Sequence, residues 1–163
     1  MQNYTDALID AYLIKEDVGQ ELNEWIDQST FDSINPGDII NAKVYQRSPT
    51  EHSTRPVLVI HKSPNEVYGF YITSSNTNKN MDFYKVLITD LNSAGLDRTC
   101  YVNLTQEVNV KPRNILGPNT VRGHISRIDL DKIIEHLTDI YWARAFPFKY
   151  NIGMVLDNLK RIN

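Results

Sequence analysis

The chain has 163 residues, of which 41% are hydrophobic and 23% charged, as in an ordinary globular domain. This length predicts one domain over residues 1–163, and the sequence has neither the run of about 20 apolar residues that a membrane helix needs nor a secretory signal pattern. A single cysteine, Cys100, excludes an internal disulfide and fits a reducing compartment. We therefore expect a cytoplasmic protein that does not span a membrane.

The charge is unevenly distributed. The formal net charge is −3, but residues 1–36 contain one basic and eight acidic residues, a net charge of −7. Residues 37–128 carry a net charge of +4, and residues 129–163 are balanced. Because basic surfaces attract phosphate backbones, a basic core joined to an acidic arm is compatible with nucleic-acid binding.

The acidic arm has a helical pattern over residues 5–31, with acidic residues between apolar ones. The apolar positions of this stripe are Leu8, Ala11, Tyr12, Val18, Leu22 and Trp25. A helix with such a stripe is expected to pack against another surface.

Beyond the turn at residues 35–38, short β-branched runs alternate with polar loops. We predict strands over residues 37–44, 55–61, 66–74 and 83–89, with weaker candidates at 100–104 and 121–126. Successive strands with short links favour an antiparallel meander or a small barrel.

A helical period returns at Asp129, which is expected to cap the helix. The predicted apolar face consists of Leu130, Ile133, Ile134, Leu137, Ile140 and Tyr141. Pro147 should end or bend this helix, and a last amphipathic helix is predicted over residues 152–162. Helices and an antiparallel sheet together predict an α+β fold.

Three motifs follow one another in the predicted strands: PGDII at residues 36–40, TRPVLVI at 54–60 and YITSS at 71–75. No glycine-rich phosphate loop, paired-cysteine zinc pattern or His-Glu-x-x-His motif occurs in the sequence. The order of the three motifs resembles that of the PemK/MazF family of toxins.

This resemblance covers residues 36–140. It leaves residues 1–35 as an acidic helical extension and residues 141–163 as a helical C-terminal extension of one domain. It implies a strongly twisted antiparallel sheet related to small SH3-like barrels, with helices packed on it. It also implies a homodimer that is neutralised by an antitoxin, whose tail occupies the RNA groove.

The activity implied by the resemblance is cleavage of single-stranded RNA, including mRNA, without a metal ion or cofactor. By motif position, Arg55 corresponds to the catalytic arginine of the family and Thr73 to its catalytic threonine or serine. The loop from Tyr45 to Thr54 takes the place of the substrate-gating loop. The predicted substrate-binding residues are Tyr45, Arg47, His52, Ser74 and Ser75.

These residue types suit the chemistry. Attack by an internal 2′-hydroxyl requires positive charge on the phosphate oxygens, which an arginine supplies together with paired donors. A threonine hydroxyl orients the phosphate by hydrogen bonding. Bases that are not stacked on each other could stack on aromatic side chains, the candidates being Tyr45, Tyr71, Phe83 and Tyr84.

Structural alternatives remain for each residue. Arg55 could be a surface residue at the start of an edge strand, Thr73 an ordinary strand threonine and His52 a solvated loop residue. The loop at residues 45–54 lacks the glycines usual in the family, and Glu107 would repel phosphate if it faced the RNA.

The alternative function is a non-catalytic module on the same fold, for example a gyrase-binding toxin of the CcdB kind. The acidic arm could lie near the RNA groove and weaken binding, or it could extend the core or the dimer interface.

Overall fold

A computed structural model describes residues 26–45, 52–74, 83–117, 119–143 and 150–163. Their centre is one antiparallel sheet of six strands in the order β4-β5-β3-β2-β1-β6. The strands are β1 Asp38–Tyr45, β2 His52–Lys62, β3 Val67–Thr73, β4 Lys85–Leu87, β5 Tyr101–Val110 and β6 Val121–His124. The predicted α+β fold with an antiparallel sheet is therefore confirmed.

Four α-helices surround the sheet within the described residues: α1 Gln28–Ser33, α2 Leu91–Ala94, α3 Arg127–Ala143 and α4 Ile152–Lys160. A 3₁₀ turn covers Pro112–Asn114. Neither this turn nor α2 was predicted, because each is too short to show a period. Residues 5–25 of the helix predicted over residues 5–31 lie outside the described part of the chain, as does Pro147.

Strand positions were predicted better than strand ends. β2 begins at His52, three residues before the predicted start, and β5 continues to Val110 instead of ending at residue 104. β4 has only three residues, whereas the prediction extended over residues 83–89. Sheet pairing extends or shortens a strand beyond what local composition indicates.

The sheet is buried on both faces. Successive side chains of a strand point to opposite faces, so that Leu58 and Ile60 of β2 enter one hydrophobic cluster, while Val57 and Val59 enter the other. All four are at most 1% exposed. Helices α3 and α4 cover the first face, and Phe31 of α1 belongs to the cluster on the second. This two-sided burial explains why β2 is a continuous apolar run.

Helix α3 buries the face that its period predicts. Leu130, Ile133, Leu137 and Ile140 are all at most 1% exposed. Tyr141, which was predicted on the same face, is instead 43% exposed and contacts Trp142. The prediction for Tyr141 was therefore wrong, and the buried stripe of α3 ends at Ile140.

Asp129 does not cap α3. Ser126 occupies that position, and its Oγ accepts a hydrogen bond from the Asp129 backbone N–H at 3.2 Å. Asp129 lies in the first turn of the helix with 1% exposure. Its carboxylate accepts hydrogen bonds from the Thr89 N–H at 3.0 Å, the Thr89 hydroxyl at 2.6 Å and the Asp90 N–H at 2.9 Å. Asp129 thus attaches the segment after β4 to α3.

We predict that Asp129→Asn destabilises the fold in a pH-dependent way. Burial by itself would raise the pKa of Asp129, but the hydrogen bonds from Thr89 and Asp90 and the Lys132 ammonium lower it to about 2. A lowered pKa stabilises the folded state above the unfolded value of 3.8, and this contribution disappears as the pH falls from about 4 to 2. The expected loss at pH 7 is about 2 kcal/mol of unfolding free energy.

Urea denaturation over a pH series measures this effect. Asp131→Asn is the matched control, because Asp131 is 56% exposed and its ion pair with Arg127 lies in solvent. An equal effect of the two substitutions at neutral pH would contradict the role given to Asp129.

Candidate functional site

Arg55 and Thr73 are neighbours across the β2–β3 pair. In this pair Leu58 lies opposite Phe70 and Val57 opposite Tyr71. Continuing the register by two residues places Arg55 opposite Thr73. On its other side, β2 pairs with β1, where Arg55 lies opposite Ala42. Arg55 is therefore on an inner strand and not at the start of an edge strand.

A groove of about 410 Å³ lies where β2 begins and β3 ends. The lining from β2 and β3 consists of Thr54, Arg55, Pro56, Ile72 and Thr73, together with Ser74 directly after β3. The segment between α2 and β5 adds Leu96, Asp97, Arg98 and Cys100, and β6 adds Arg122. Three of the predicted site residues, Arg55, Thr73 and Ser74, thus line one cavity together.

The groove is positively charged although the whole chain is negative. Three arginines and one carboxylate line it, which gives a net charge of +2 at neutral pH. The positive charge of the groove affects Cys100, which lies in its wall. Burial raises the pKa of the Cys100 thiol, while the charges of Arg122 and Arg98 lower it. Both guanidinium groups are therefore within electrostatic reach of the thiol at the groove wall.

Arg122 is held in place by two hydrogen bonds. Its Nε donates to the Gly95 carbonyl at 3.2 Å, and its Nη1 donates to Asn41 Oδ1 at 3.3 Å. Arg98 is exposed, and its Nε lies 3.6 Å from Asp97 Oδ1. Neither arginine was predicted as a site residue, because the basic excess of residues 37–128 was the only signal for them in the sequence.

Two glycines allow the turn after α2 to lie directly on β6. Gly95 ends α2 with a φ of +71°, the left-handed conformation that favours glycine. A Cβ at Gly95 would lie 2.0 Å from the Arg122 carbonyl oxygen, and one at Gly123 would lie 2.4 Å from the Ala94 carbonyl carbon. The missing side chains therefore permit the contact that places residues 96–98 beside Arg122.

Tyr71 lies beside Arg55. Burial raises the pKa of the Tyr71 hydroxyl, and the Arg55 charge lowers it. Tyr71 also packs against the cluster that contains Val57. Two other candidates for base stacking lie elsewhere: Phe83 contacts Tyr84 and His136 at ring-centroid distances of 5.2 Å. Neither Phe83 nor Tyr84 lines the groove.

The predicted gating loop is shorter than expected. Tyr45 is the last residue of β1 and lies opposite His52, the first residue of β2. The predicted loop boundaries of Tyr45 and Thr54 are therefore wrong, since both residues belong to strands and only residues 46–51 connect them. Arg47 and Ser75 lie outside the described residues, as do the side chains of Tyr45 and His52.

Glu107 does not face the groove. It lies opposite Phe70 on β5 and lines a separate cavity together with His61. No residue is shared between the linings of the two cavities. The repulsion of phosphate that the sequence raised as a possibility therefore does not arise at the Arg55 groove.

In the part of the chain that the structure describes, no helix is long and apolar enough to cross a membrane. Among the same residues, no three His, Cys, Asp or Glu side chains are grouped so that they could hold a metal ion.

The protein is thus a small α+β protein with a positive groove at the ends of two inner strands. Such a groove attracts negatively charged ligands. The family model for the PemK-like, MazF-like toxin of type II toxin–antitoxin systems matches residues 35–141. The chain belongs to this family, as the motifs indicated. It is a toxin of a class that is generally RNA-cleaving and has an antitoxin as partner.

Among solved structures, the chain is similar to the Mycobacterium tuberculosis toxin MazF-mt6. The two are 14% identical, the match covers 69% of this chain and 99% of the other, and the TM-score is 0.47. A search of curated proteins found no match.

We predict that Gly123→Ala separates the turn after α2 from β6. The new methyl group would overlap the Ala94 backbone, and relief of this overlap should cost about 1–3 kcal/mol of unfolding free energy. Urea denaturation measures the loss, and amide chemical shifts of residues 96–98 report the displacement. Wild-type stability and unchanged shifts would contradict the close contact.

Proposed function

We propose that this chain is an endoribonuclease toxin that cleaves single-stranded RNA, including mRNA, by attack of a 2′-hydroxyl on the adjacent phosphate. The observation that supports this function is that Arg55 and Thr73 occupy neighbouring positions and line one positive groove. Because the chain belongs to the PemK/MazF family, single-stranded RNA is the expected ligand of the groove.

In the proposed reaction, the 2′-oxygen bonds to phosphorus and the bond from phosphorus to the 5′-oxygen breaks. The products are a 2′,3′-cyclic phosphate and a 5′-hydroxyl. The proton of the 2′-hydroxyl moves to an acceptor, and the leaving oxygen receives a proton. All bonding changes occur within the RNA and in these proton transfers, so the chemistry requires neither a metal ion nor a covalent enzyme intermediate.

Arg55 and Thr73 have separate roles in this proposal. The Arg55 guanidinium places its charge and paired N–H donors on the non-bridging phosphate oxygens, where negative charge increases in the transition state. The Thr73 hydroxyl donates to the same phosphate and orients it for in-line attack. On sequence grounds, His52 is the candidate for proton transfer.

The neighbouring groups extend the site along the RNA. Arg98 and Arg122 lie in the same groove and would contact the phosphates next to the scissile one. The Ser74 hydroxyl would donate a hydrogen bond to the RNA backbone. Contacts from Tyr45, Arg47 and Ser75 are proposed from the sequence alone.

The family and the groove support a proposal for the partners and the location of the protein. We propose that an antitoxin neutralises the toxin by placing an acidic segment in this positive groove, where it would compete with RNA. We also propose that the chain acts as a homodimer in the cytoplasm, where Cys100 would stay a free, buried thiol.

We predict that Arg55→Ala and Thr73→Ala each reduce the cleavage rate of a long single-stranded RNA in EDTA by about 10²- to 10³-fold, because each removes one transition-state donor. Gel analysis of cleavage products measures the rate. Arg161→Ala is the control, since this exposed arginine at the end of α4 lies outside the groove and should leave cleavage unchanged.

Two results would reject parts of this proposal. Cleavage that stops in EDTA would exclude the metal-independent reaction. Intact RNA together with inhibition of DNA gyrase would support the non-catalytic, CcdB-like alternative.

We predict that Arg122→Ala weakens RNA binding without changing sequence preference, because Arg122 would contact phosphate only. Fluorescence anisotropy in a Thr73→Ala background separates binding from cleavage. The slope of log K against log salt should fall by about 0.7, the value expected for one lost phosphate contact to a single strand. Arg127→Ala is the control, because this exposed arginine pairs with Asp131 on α3. An unchanged slope in Arg122→Ala would contradict its place on the RNA path.

A further inference from the structure

A second cavity, of about 320 Å³, lies between the sheet and α4 near the end of β2 that is farther from Arg55. Its sheet side carries His61, Tyr68 and Glu107, and its helix side carries Asn151, Met154 and Asn158. Its volume is at the lower end of the range for small-molecule sites, about 300–1,000 Å³. It is therefore large enough for the head group of a small ligand.

The helix wall of this cavity belongs to the C-terminal part of the chain. Asn151, Met154 and Asn158 follow one another at spacings of three and four residues and therefore share one helix face. Helix α4 begins at Ile152, beyond the family match, which ends at residue 141. One wall of the cavity is thus formed by a segment outside the part of the chain that matches the toxin family, and the sheet wall lies within that part.

Glu107 is the charged group of the cavity and is half-buried. Burial raises the pKa of its carboxyl, and the nearby His61 charge lowers it. Within the described residues, no group donates a hydrogen bond to this carboxylate. A partly desolvated carboxylate that has no protein donor is compensated better by a cation than by a neutral group.

The residues that line the cavity besides Glu107 indicate which kind of cation it would bind. No lysine or arginine lines the cavity, so that a phosphate or carboxylate ligand would meet the Glu107 carboxylate without a permanently charged partner. The rings of His61 and Tyr68 stack with centroids 5.7 Å apart and planes 28° apart, which provides an aromatic surface. A guanidinium group is planar, stacks on aromatic rings and donates two parallel N–H groups to a carboxylate.

We propose that this cavity binds the guanidinium head of an organic cation, with Glu107 accepting its N–H donors and the Tyr68–His61 pair contacting its flat face. Asn158, which also lines the cavity, would accept a further N–H with its amide oxygen. The same head group occurs on free amines derived from arginine and on arginine side chains of polypeptides. This site is independent of the RNA cleavage proposed above.

Titration of the ¹⁵N-labelled full chain with agmatine tests the proposal by NMR. We expect saturable shifts at the amides of Tyr68, Glu107 and Met154. Glu107→Gln keeps the shape but removes the charge, and it should weaken binding by at least about tenfold. Its thermal stability should be unchanged or higher, because the lost carboxylate had no donor among the described residues.

Glu66→Gln is the matched control. The Glu66 carboxylate accepts a hydrogen bond from Asn109 Nδ2 at 2.8 Å and does not line the cavity, so this variant should bind agmatine normally. RNA cleavage by Glu107→Gln should equal that of the wild type, which separates failure of this site from failure of the proposed enzyme.

Further ligands distinguish the two sources of the guanidinium group. Tighter binding of agmatine than of a short arginine-containing peptide would indicate a free amine, and the reverse order would indicate a polypeptide side chain. A peptide with citrulline in place of arginine should bind more weakly in either case. No saturable shift with agmatine up to about 10 mM, equal binding by Glu107→Gln, or binding of cytidine in place of agmatine would overturn the proposal.

Discussion

The antiparallel register between β2 and β3 is the constraint on which the candidate active site depends. Its continuation beyond the Val57–Tyr71 pair brings Arg55 opposite Thr73, and a slip of one residue would turn one of them to the other face of the sheet. Such a slip would also move Val57 to Ile60 of β2 out of the clusters in which they pack, since successive residues enter opposite faces of the sheet. The same core packing that stabilises the fold therefore keeps the two functional groups together.

The charge of the groove comes from segments that are far apart in the sequence. Arg122 reaches Asn41 across 81 positions, and it meets Gly95 because two glycines bring the α2 turn onto β6. A chain with a net charge of −3 thus presents a groove with a net charge of +2. Overall charge is consequently a poor guide to the ligand here, because salt screens charges that lie more than about 10 Å from the ligand.

The two cavities lie toward opposite ends of β2 and have opposite electrostatic character. Arginines dominate the groove near Arg55, whereas Glu107 is the charged group of the cavity beneath α4. Helix α4 lies outside the family match and forms a wall of this second cavity only. The segment beyond the family match therefore adds a cavity without lining the groove, since the two linings share no residue.

Local patterns in the sequence determined the α+β class, the position of β2, the buried face of α3 and the family, because periodicity and motif order are contained within short segments. They also singled out Arg55 and Thr73 through motif position. Only the tertiary structure decided that Arg98 and Arg122 join them, that Glu107 lies elsewhere and that Asp129 bonds Thr89 across 40 positions instead of capping its helix. These contacts depend on strand pairing and helix packing between distant segments, which no local pattern encodes.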